Sequence, residues 1–188
     1  MSGIPFIRGR EIYLRHLLES DSEGPYPAWF NDAEVCSGNS HYIFPYTLND
    51  ARAYIQEANR GHHHLILAIV CLKNDAHIGN VALDNINYIN RTAELTIVIG
   101  DKDCWKKGYG KEAVKLICDH GFISLNLNRI ACGTFENNTG MCKLAEYLGM
   151  REEGRRRNAI YKHGRYLDII EYGILRNEYI ARFKHSCI

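Results

Sequence analysis

Three strand-like segments that follow one another at short intervals constrain the fold most strongly. They span residues 65–72, roughly 77–86 and 93–99. The first, LILAIVCL, is the longest apolar run of the chain and is typical of a buried strand. Short gaps rich in Asn and Asp separate the segments, and such gaps are typical of hairpin turns. The middle of the chain therefore predicts three consecutive strands joined by hairpins.

Segments with helical or strand-like patterns flank this unit on both sides. A strand-like stretch at residues 11–18 comes first, and PYPAWFND and TLNDARAYIQEANRG predict two helices after it. Beyond residue 99, KEAVKLICDHGFISL and NNTGMCKLAEYLGM predict two helices. These helices alternate with strands predicted at RIACGTF, near Glu153–Tyr161 and at Tyr166–Leu175. The order β-α-α-β-β-β-α-β-α-β-β predicts an α/β (α+β) sheet with helices on its faces.

Length, charge and apolar runs exclude several classes of protein. A chain of 188 residues predicts one domain, which we place at residues 1–188 with a core at roughly 10–179 and a short C-terminal tail. The net charge of +1 argues against a nucleic-acid partner. The longest apolar run falls far short of the ~20 residues that span a bilayer, which argues against membrane insertion. Because the N-terminus lacks the apolar stretch of a signal peptide, we expect a cytoplasmic protein.

The cysteines indicate reduced thiols rather than disulfides or a metal site. They number seven, no CxxC pair occurs, and several lie inside apolar runs. A zinc site needs paired ligand spacing, which this sequence lacks, so we expect no metal. The seven are Cys36, Cys71, Cys104, Cys118, Cys132, Cys142 and Cys187.

The segment WKKGYGKEA, residues 105–113, carries the most chemical information. Its two glycines follow a predicted strand and precede a predicted helix. Glycine lets backbone N–H groups approach a ligand closely, and a helix start adds unpaired N–H donors with a partial positive charge. Lys106, Lys107 and Lys111 add positive charge. Together these features predict a ligand that contains a diphosphate.

Three interpretations of this loop compete. Gly108, Gly110 and Ala113 fit the dinucleotide fingerprint G-x-G-x-x-A, but that motif needs its first glycine directly after the strand. Here Asp101 to Lys107 intervene, and the Walker phosphate loop GxxxxGK followed by Ser or Thr does not occur. The second interpretation is a plain loop that starts a helix. The third is a loop that binds the pyrophosphate of coenzyme A.

Two motifs in the right order carry a resemblance to a known family. The run from Glu94 to Phe122, with Trp105, Gly108 and Gly110, resembles the acetyl-CoA motif Q/R/W-x-x-G-x-G/A of the GNAT superfamily of N-acetyltransferases. ENNTGMCKLAEYLGM resembles the second family motif, with matches at Asn138, Lys143, Leu144 and Gly149. Both ends of the chain resemble the branch of ribosomal-protein N-terminal and small-amine acetyltransferases, and the resemblance extends from Arg10 to about Tyr179.

The resemblance implies a mixed, mostly antiparallel sheet of about seven strands that splays between its fourth and fifth strands. It implies acetyl-CoA as cofactor, with the pantetheine arm in the split and the pyrophosphate on the N–H groups of Lys107 to Lys111. The cofactor contacts that it implies are Ile97, Val98, Ile99, Trp105, Lys106, Lys107, Gly108, Tyr109, Gly110, Lys111, Asn138 and Lys143. A homodimer is a further expectation, because dimers are common in this superfamily.

Transfer of an acetyl group to an amine needs a base, since a free alkylamine is mostly ammonium at pH 7. Glu94 stands where many family members hold that base, so we predict it as the catalytic residue, acting through water. The competing interpretation is a structural glutamate paired with Arg91. Ala145 replaces the Tyr that many relatives use as proton donor, which leaves Tyr161, Tyr172 or an unaided thiolate. An acetylated cysteine is an alternative that we disfavour, because direct transfer is simpler.

The acceptor is the least determined element of the function. We predict contacts from Trp29, Asn31, Tyr42 and Tyr161, although Trp29 could simply pack the first helix. Among small amines we place an amino sugar first, possibly nucleotide-linked through the arginines of REEGRRR. The alternatives are an N-terminal protein acetyltransferase and a polyamine or aminoglycoside acetyltransferase. A protein acetyltransferase needs an open groove, a polyamine enzyme an acidic one and a sugar-nucleotide enzyme a basic one. A non-catalytic acyl-CoA-binding module is the alternative from another class.

Overall fold

A computed structural model describes residues 3–183, and eight strands form its one sheet. The strands are β1 (Ile7–Arg8), β2 (Ile12–His16), β3 (Leu65–Cys71), β4 (His77–Asn87), β5 (Thr92–Ile99), β6 (Arg129–Phe135), β7 (Arg151–Lys162) and β8 (Arg165–Leu175). The helices are α1 (Tyr26–Trp29), α2 (Leu48–Ala58), α3 (Tyr109–Ile123), α4 (Thr139–Leu148) and α5 (Arg176–Phe183). Short 3-10 turns lie at Glu19–Glu23 and Lys102–Cys104. Cys187 lies outside the described residues.

The strand order is β1-β2-β3-β4-β5-β6-β8-β7, and every pair is antiparallel except β5 with β6. The predicted mixed, mostly antiparallel sheet and its three central hairpin-linked strands are therefore confirmed. Strands β5 and β6, which pair in parallel, correspond to the fourth and fifth strands that the sequence predicts. Its registered pairs are few, Thr92 with Arg129, Ala93 with Ile130 and Glu94 with Ala131, as a splayed sheet requires.

Helices cover both faces of the sheet, because each central strand is apolar on both sides. On β3, Leu67 and Ile69 belong to the core under α3 and α4, whereas Ile66 and Ala68 belong to the core under α1 and α2. Such a continuous apolar strand is the pattern of a sheet buried on both faces. The sheet thus separates the described part of the chain into an α3/α4 face and an α1/α2 face.

Two elements escaped the sequence analysis. The two-residue strand β1 adds the eighth strand, and its length is too short for any hydrophobic period to mark it. Helix α5 begins within the predicted core and covers the first residues of the predicted tail. Its Tyr179 is buried, packs 4.7 Å from the Phe122 ring and donates a hydrogen bond of 2.8 Å to Asp119 Oδ1 on α3. This helix is therefore held by contacts with distant residues rather than by a local signal.

A buried ion pair fixes the segment that precedes α1 to the sheet. Both terminal nitrogens of Arg15 on β2 donate to the Asp21 carboxylate at 2.7 Å, and His77 Nδ1 lies 3.5 Å from Asp21 Oδ1. Burial by itself would raise the pKa of Asp21, but the hydrogen bonds from Arg15 and the nearby His77 ring outweigh it and hold that pKa well below its usual range. The ionised carboxylate therefore stabilises the entry into the α1/α2 region.

Replacing Asp21 with Asn should destabilise the fold by about 3 kcal/mol at pH 7, because it leaves the buried Arg15 charge without its counter-ion. Urea denaturation measures this loss. A group whose folded pKa is depressed stabilises the fold above its unfolded pKa of about 3.9 and loses that contribution as pH falls towards the folded pKa. The variant should therefore show a shallower loss of stability below about pH 4 than the natural protein.

Glu23→Gln serves as the matched control, since Glu23 pairs with Arg52 at 3.1 Å on the exposed surface. Its effect should stay within about 0.5 kcal/mol. An equal loss of unfolding free energy in the two variants would show that the buried pair contributes no more to stability than the exposed pair.

Candidate functional site

The sheet opens where the pairing of β5 with β6 ends. The last registered pair is Glu94 with Ala131, although β5 continues to Ile99 and β6 to Phe135. Side chains alternate along β5, so Glu94 and Thr96 share one face while Leu95 packs into the core of the other. Beyond Glu94, one edge of β5 thus lies beside an opening in the sheet, and the predicted splay between the fourth and fifth strands is confirmed.

A polar loop joins the end of β5 to α3 and is tied to the strand. The Trp105 indole Nε1–H donates to the Ile99 carbonyl oxygen at 2.8 Å. Lys106 has φ 60° and Gly108 has φ 92°, so the chain turns sharply through the left-handed region before the helix begins. Trp105 therefore holds this turn directly at the carboxyl end of β5.

The same turn presents a row of free backbone donors. Between residues 3 and 183, no acceptor is found for the N–H groups of Lys106 to Lys111, and the first helical bond runs from Glu112 N–H to Gly108. Tyr109 begins α3, so the positive end of the helix dipole adds to these donors. A Cβ added to Gly110 would lie 3.8 Å from Ile99 and Leu144, in ordinary contact. Free N–H groups, a helix start and three exposed lysines suit the oxygens of a diphosphate.

Asn138 links α4 to a loop of the N-terminal half. Its Oδ1 accepts from Met141 N–H at 3.0 Å and caps α4, while its Nδ2 donates to the Gly38 carbonyl oxygen at 3.0 Å. A Cβ at Gly38 would approach the Asn138 amide to 2.6 Å, so this contact needs glycine. Lys143, the other predicted contact on α4, has an exposed side chain. The side-chain amide of Asn138 therefore already joins two elements of the site.

A cavity of about 320 Å³ lies across the opening, on the α1/α2 face, and we call it the split cavity. Its polar lining consists of Glu94 and Thr96 from β5, Arg156 from β7, Glu171 from β8 and Ser40 from the loop after α1. Ala131 and Gly133 of β6 form its floor together with Phe135 and Ile169. Glu94 is exposed into this space at the last point of strand pairing.

The charged side chains that line the split cavity give it a net negative charge. Arg156 Nε donates to Glu171 Oε1 at 2.7 Å, so these two charges compensate each other. Glu94 has no cationic partner among residues 3–183. The alternative partner, Arg91, instead donates to the Asn126 carbonyl and side-chain oxygens, both at 2.7 Å. Glu94 is therefore the uncompensated carboxylate of this cavity.

The thiol that lines the split cavity is a poor nucleophile. Burial raises the pKa of Cys132 to about 12, and the Glu171 carboxylate adds to the effect. The thiol is thus protonated near neutral pH, and the thiolate is the reactive form of cysteine. Burial and the hydrogen bond to Asp101 likewise raise the pKa of Cys104 to about 11. Direct transfer fits these thiols better than a covalent cysteine intermediate.

Residues 38–46, which we call the roof loop, reach the split cavity at Ser40 and are held in place by several hydrogen bonds. Asn138 holds Gly38, and the buried Lys162 of β7 donates its Nζ–H to the His41 carbonyl oxygen. Asn31 exchanges two hydrogen bonds with the Tyr46 backbone, at 2.7 and 2.9 Å. The roof loop also lines a second cavity of about 380 Å³, the loop cavity, which shares Ser40 with the split cavity.

The residues predicted to contact the acceptor lie in different places. Trp29 is buried in the α1/α2 core. Its ring packs against the backbone of Gly100, where an added Cβ would lie 1.9 Å from the ring. Asn31 uses its amide on Tyr46, and Tyr42 lines the loop cavity. Tyr161 is exposed on β7 and packs against the Tyr166 ring at 5.1 Å. Neither Tyr161 nor Tyr172 lines the split cavity or the loop cavity, and Ala145 is buried.

Sequence reasoning missed Glu171, Lys162 and the whole β7–β8 wall of the split cavity. Arg156 was noted only as part of an arginine cluster, and its partner Glu171 lies fifteen positions on, across a hairpin. Lys162 gave no signal at all, because its acceptor His41 is 121 residues away.

Residues 3–183 contain no cluster of His, Cys, Asp and Glu that could hold a metal ion. None of the helices in the same range is long and apolar enough to cross a membrane.

Comparisons with known proteins agree with this geometry. Residues 11–151 match the family model of the GNAT acetyltransferase domain. The chain is 33% identical over 178 residues to the uncharacterized N-acetyltransferase p20 of Bacillus licheniformis, which covers 89% of this chain and 94% of that protein. It is 34% identical over 105 residues to a spermidine N(1)-acetyltransferase of Vibrio cholerae, covering 56% and 60% of the two chains.

Solved structures of acetyltransferases share the fold of this chain. The crystal structure of a Vibrio cholerae spermidine N-acetyltransferase in complex with CoA and spermine superposes with a TM-score of 0.80. The two proteins are 25% identical, and the match covers 90% of this chain and 98% of the other. The fold thus has a close counterpart in a protein whose crystal structure contains CoA and spermine.

Gly110→Asp should weaken acetyl-CoA binding about tenfold or more, because it places a carboxylate against the oxygens that the free N–H groups are predicted to hold. Gly110→Ala is the matched control, since the structure leaves room for a Cβ at this position. An acidic residue in the first turn of a helix does not impair folding. Calorimetric titration with acetyl-CoA compares the two variants, and equal affinities would exclude the loop as the diphosphate site.

Proposed function

The chain belongs to the GNAT acetyltransferase family, and from this premise we propose that it acetylates the primary amine of a small cationic acceptor bound in the split cavity. One observation carries the proposal. Glu94, a carboxylate without a cationic partner among the described residues, faces a cavity that opens where the β5–β6 pairing ends. A net negative cavity attracts an ammonium group and can then remove its proton.

The residues around the split suit acetyl-CoA. Backbone N–H groups of Lys107 to Lys111 would hold the pyrophosphate, with positive charge added by Lys106, Lys107 and Lys111. Main-chain groups of Ile97 and Val98 would pair with the pantetheine arm, while the Ile99 carbonyl oxygen accepts the bond from Trp105. When bound, acetyl-CoA supplies an acetyl group activated as a thioester. The unpaired donors of the α3 start support this role, because they are satisfied by no group of the described chain.

Glu94 acts as the base, through a water molecule. The ammonium proton would pass through that water to the Glu94 carboxylate, which frees the amine lone pair to attack the thioester that acetyl-CoA would supply. The nitrogen would lose its second proton to solvent as the amide forms and the carbon–sulfur bond breaks. A backbone N–H of the Ile97–Val98 region polarises the carbonyl oxygen. The leaving thiolate takes its proton from solvent, which suits a site with the small Ala145 in place of a tyrosine.

The charge pattern favours a cationic amine over an acceptor that carries a diphosphate. Arg156 is paired with Glu171, and Arg155 lies within 3.4 to 3.7 Å of Glu136, Glu152 and Asp168. Arg156 is the arginine of the cavity lining, so its pairing leaves the described lining of the split cavity without a free cation for a nucleotide-linked sugar. A polyamine is a second candidate acceptor, supported by the Vibrio cholerae relative whose crystal structure contains CoA and spermine.

Replacing Glu94 with Gln should lower kcat/KM about 100-fold at pH 7, because the ammonium then lacks its proton acceptor. Thiol release from acetyl-CoA in the presence of a panel of primary amines measures the rate. The defect should shrink as pH rises towards the amine pKa of about 10, since the free amine then forms without a base. Acetyl-CoA affinity should stay unchanged.

Glu171→Gln is the control that separates base catalysis from charge attraction. It removes the same charge from the same cavity, and it should raise KM for the amine more than it lowers kcat. Equal pH profiles for the two variants would contradict the role of Glu94 as base. Binding of acetyl-CoA without thiol release for any amine would instead identify a non-catalytic acyl-CoA-binding module.

A further inference from the structure

The loop cavity beside the proposed reaction site has a chemistry unlike that of the split cavity. The rings of Phe30, Tyr42, Phe44 and Tyr46 line it together with Ile43 and Pro45. Phe44 is 82% exposed and Ile43 is 65% exposed, although both belong to one short segment. A contiguous apolar patch of this kind on a folded protein is commonly a binding site.

The exposure of these side chains is enforced by the structure around them. Lys162 and Asn31 hold the roof loop at His41 and Tyr46. The Phe30 ring packs 4.3 Å from the His41 ring and 4.9 Å from the Tyr46 ring, which fixes the floor of the cavity. The loop therefore presents its apolar side chains in a defined arrangement, and a ligand would meet a pre-organised surface.

The carboxylate and the imidazole of the loop cavity are both held by contacts within the chain. Asp50 is the acidic residue of its lining, and its Oδ2 accepts from Thr47 N–H at 2.8 Å and from Thr47 Oγ1 at 2.6 Å in the cap of α2. Desolvation lowers the pKa of His41, and the Lys162 ammonium lowers it further, so this ring is neutral near pH 7. Because rings and aliphatic side chains make up most of its lining, the loop cavity suits an apolar group better than a second ammonium group.

The two cavities adjoin, because Ser40 lines both. We infer that the acceptor is a primary amine joined by a short chain to an aromatic or branched apolar group, with the amine in the split cavity and the apolar group in the loop cavity. This inference rests on the proposed function, since it assigns the class of amine that the same site acetylates. It distinguishes this chain from an enzyme for acceptors that carry a charge at both ends.

Matched amines test the inference with the full chain and acetyl-CoA. Rates of thiol release are compared for ethylamine, 2-phenylethylamine, 3-phenylpropylamine, spermidine and a tetrapeptide with a free N-terminus. The better phenylalkylamine should exceed ethylamine in kcat/KM by about 10- to 100-fold, the gain expected from burying an aromatic ring. It should also exceed spermidine and the peptide.

Variants of the roof loop locate the preference. Phe44→Ser should lower the ratio of the phenylalkylamine and ethylamine values by at least about threefold, because it removes apolar contact area. Phe44 is largely exposed, so its loss does not threaten folding. Ile89→Ser is the control, since Ile89 is 93% exposed in the turn between β4 and β5 and lines neither cavity. That variant should leave the ratio unchanged.

The outcomes separate the inference from the function on which it rests. Acetylation of ethylamine and the phenylalkylamines within threefold of each other, or a preference for spermidine or the peptide, would overturn the inference and leave amine acetylation standing. An unchanged ratio in Phe44→Ser would overturn the assignment of the apolar group to the loop cavity. Failure of every amine, with acetyl-CoA still bound, would overturn the proposed function and the inference with it.

Discussion

The short parallel pairing between β5 and β6 is the constraint on which the site depends. It ends at Glu94 and Ala131, and everything proposed for the chemistry lies around that point. Longer pairing would close the opening, cover the free edge of β5 and remove the split cavity. Earlier divergence would take Glu94 away from β6. The register thus sets the carboxylate, the opening and the start of α3 in one small region.

The two halves of the chain meet at the site through single polar contacts. Asn138 caps α4 and holds Gly38, so one amide joins the second family motif to the roof loop. Lys162 carries a buried ammonium whose acceptor in the described chain is the His41 carbonyl. Burying a charge with one neutral acceptor costs free energy, and this contact fixes the roof loop at His41. The roof loop is therefore positioned from both ends.

Local patterns predicted much of the fold, because they depend on neighbouring residues. The hairpins of β3 to β5, the glycine loop at Gly108 and the helix that follows it all leave periodic or turn signals in the sequence. Glu94 was identified through the family resemblance, and its lack of a partner emerged only from the structure. The wall made by Arg156 and Glu171, the Lys162 contact and helix α5 depend on residues distant in sequence. No period or spacing encodes such contacts, so the acceptor side of the site was the part that could not be predicted.

Amide hydrogen exchange with and without acetyl-CoA tests most directly whether the cofactor binds at the opening between β5 and β6. The N–H groups of Lys107 to Lys111 have no acceptor in the described chain, so they should exchange rapidly in the free protein. Acetyl-CoA should slow their exchange together with that of Ile97 and Val98, while β2 and β3 stay unchanged. Protection elsewhere in the sheet, with these amides still exchanging rapidly, would contradict the assignment of the split as the cofactor site.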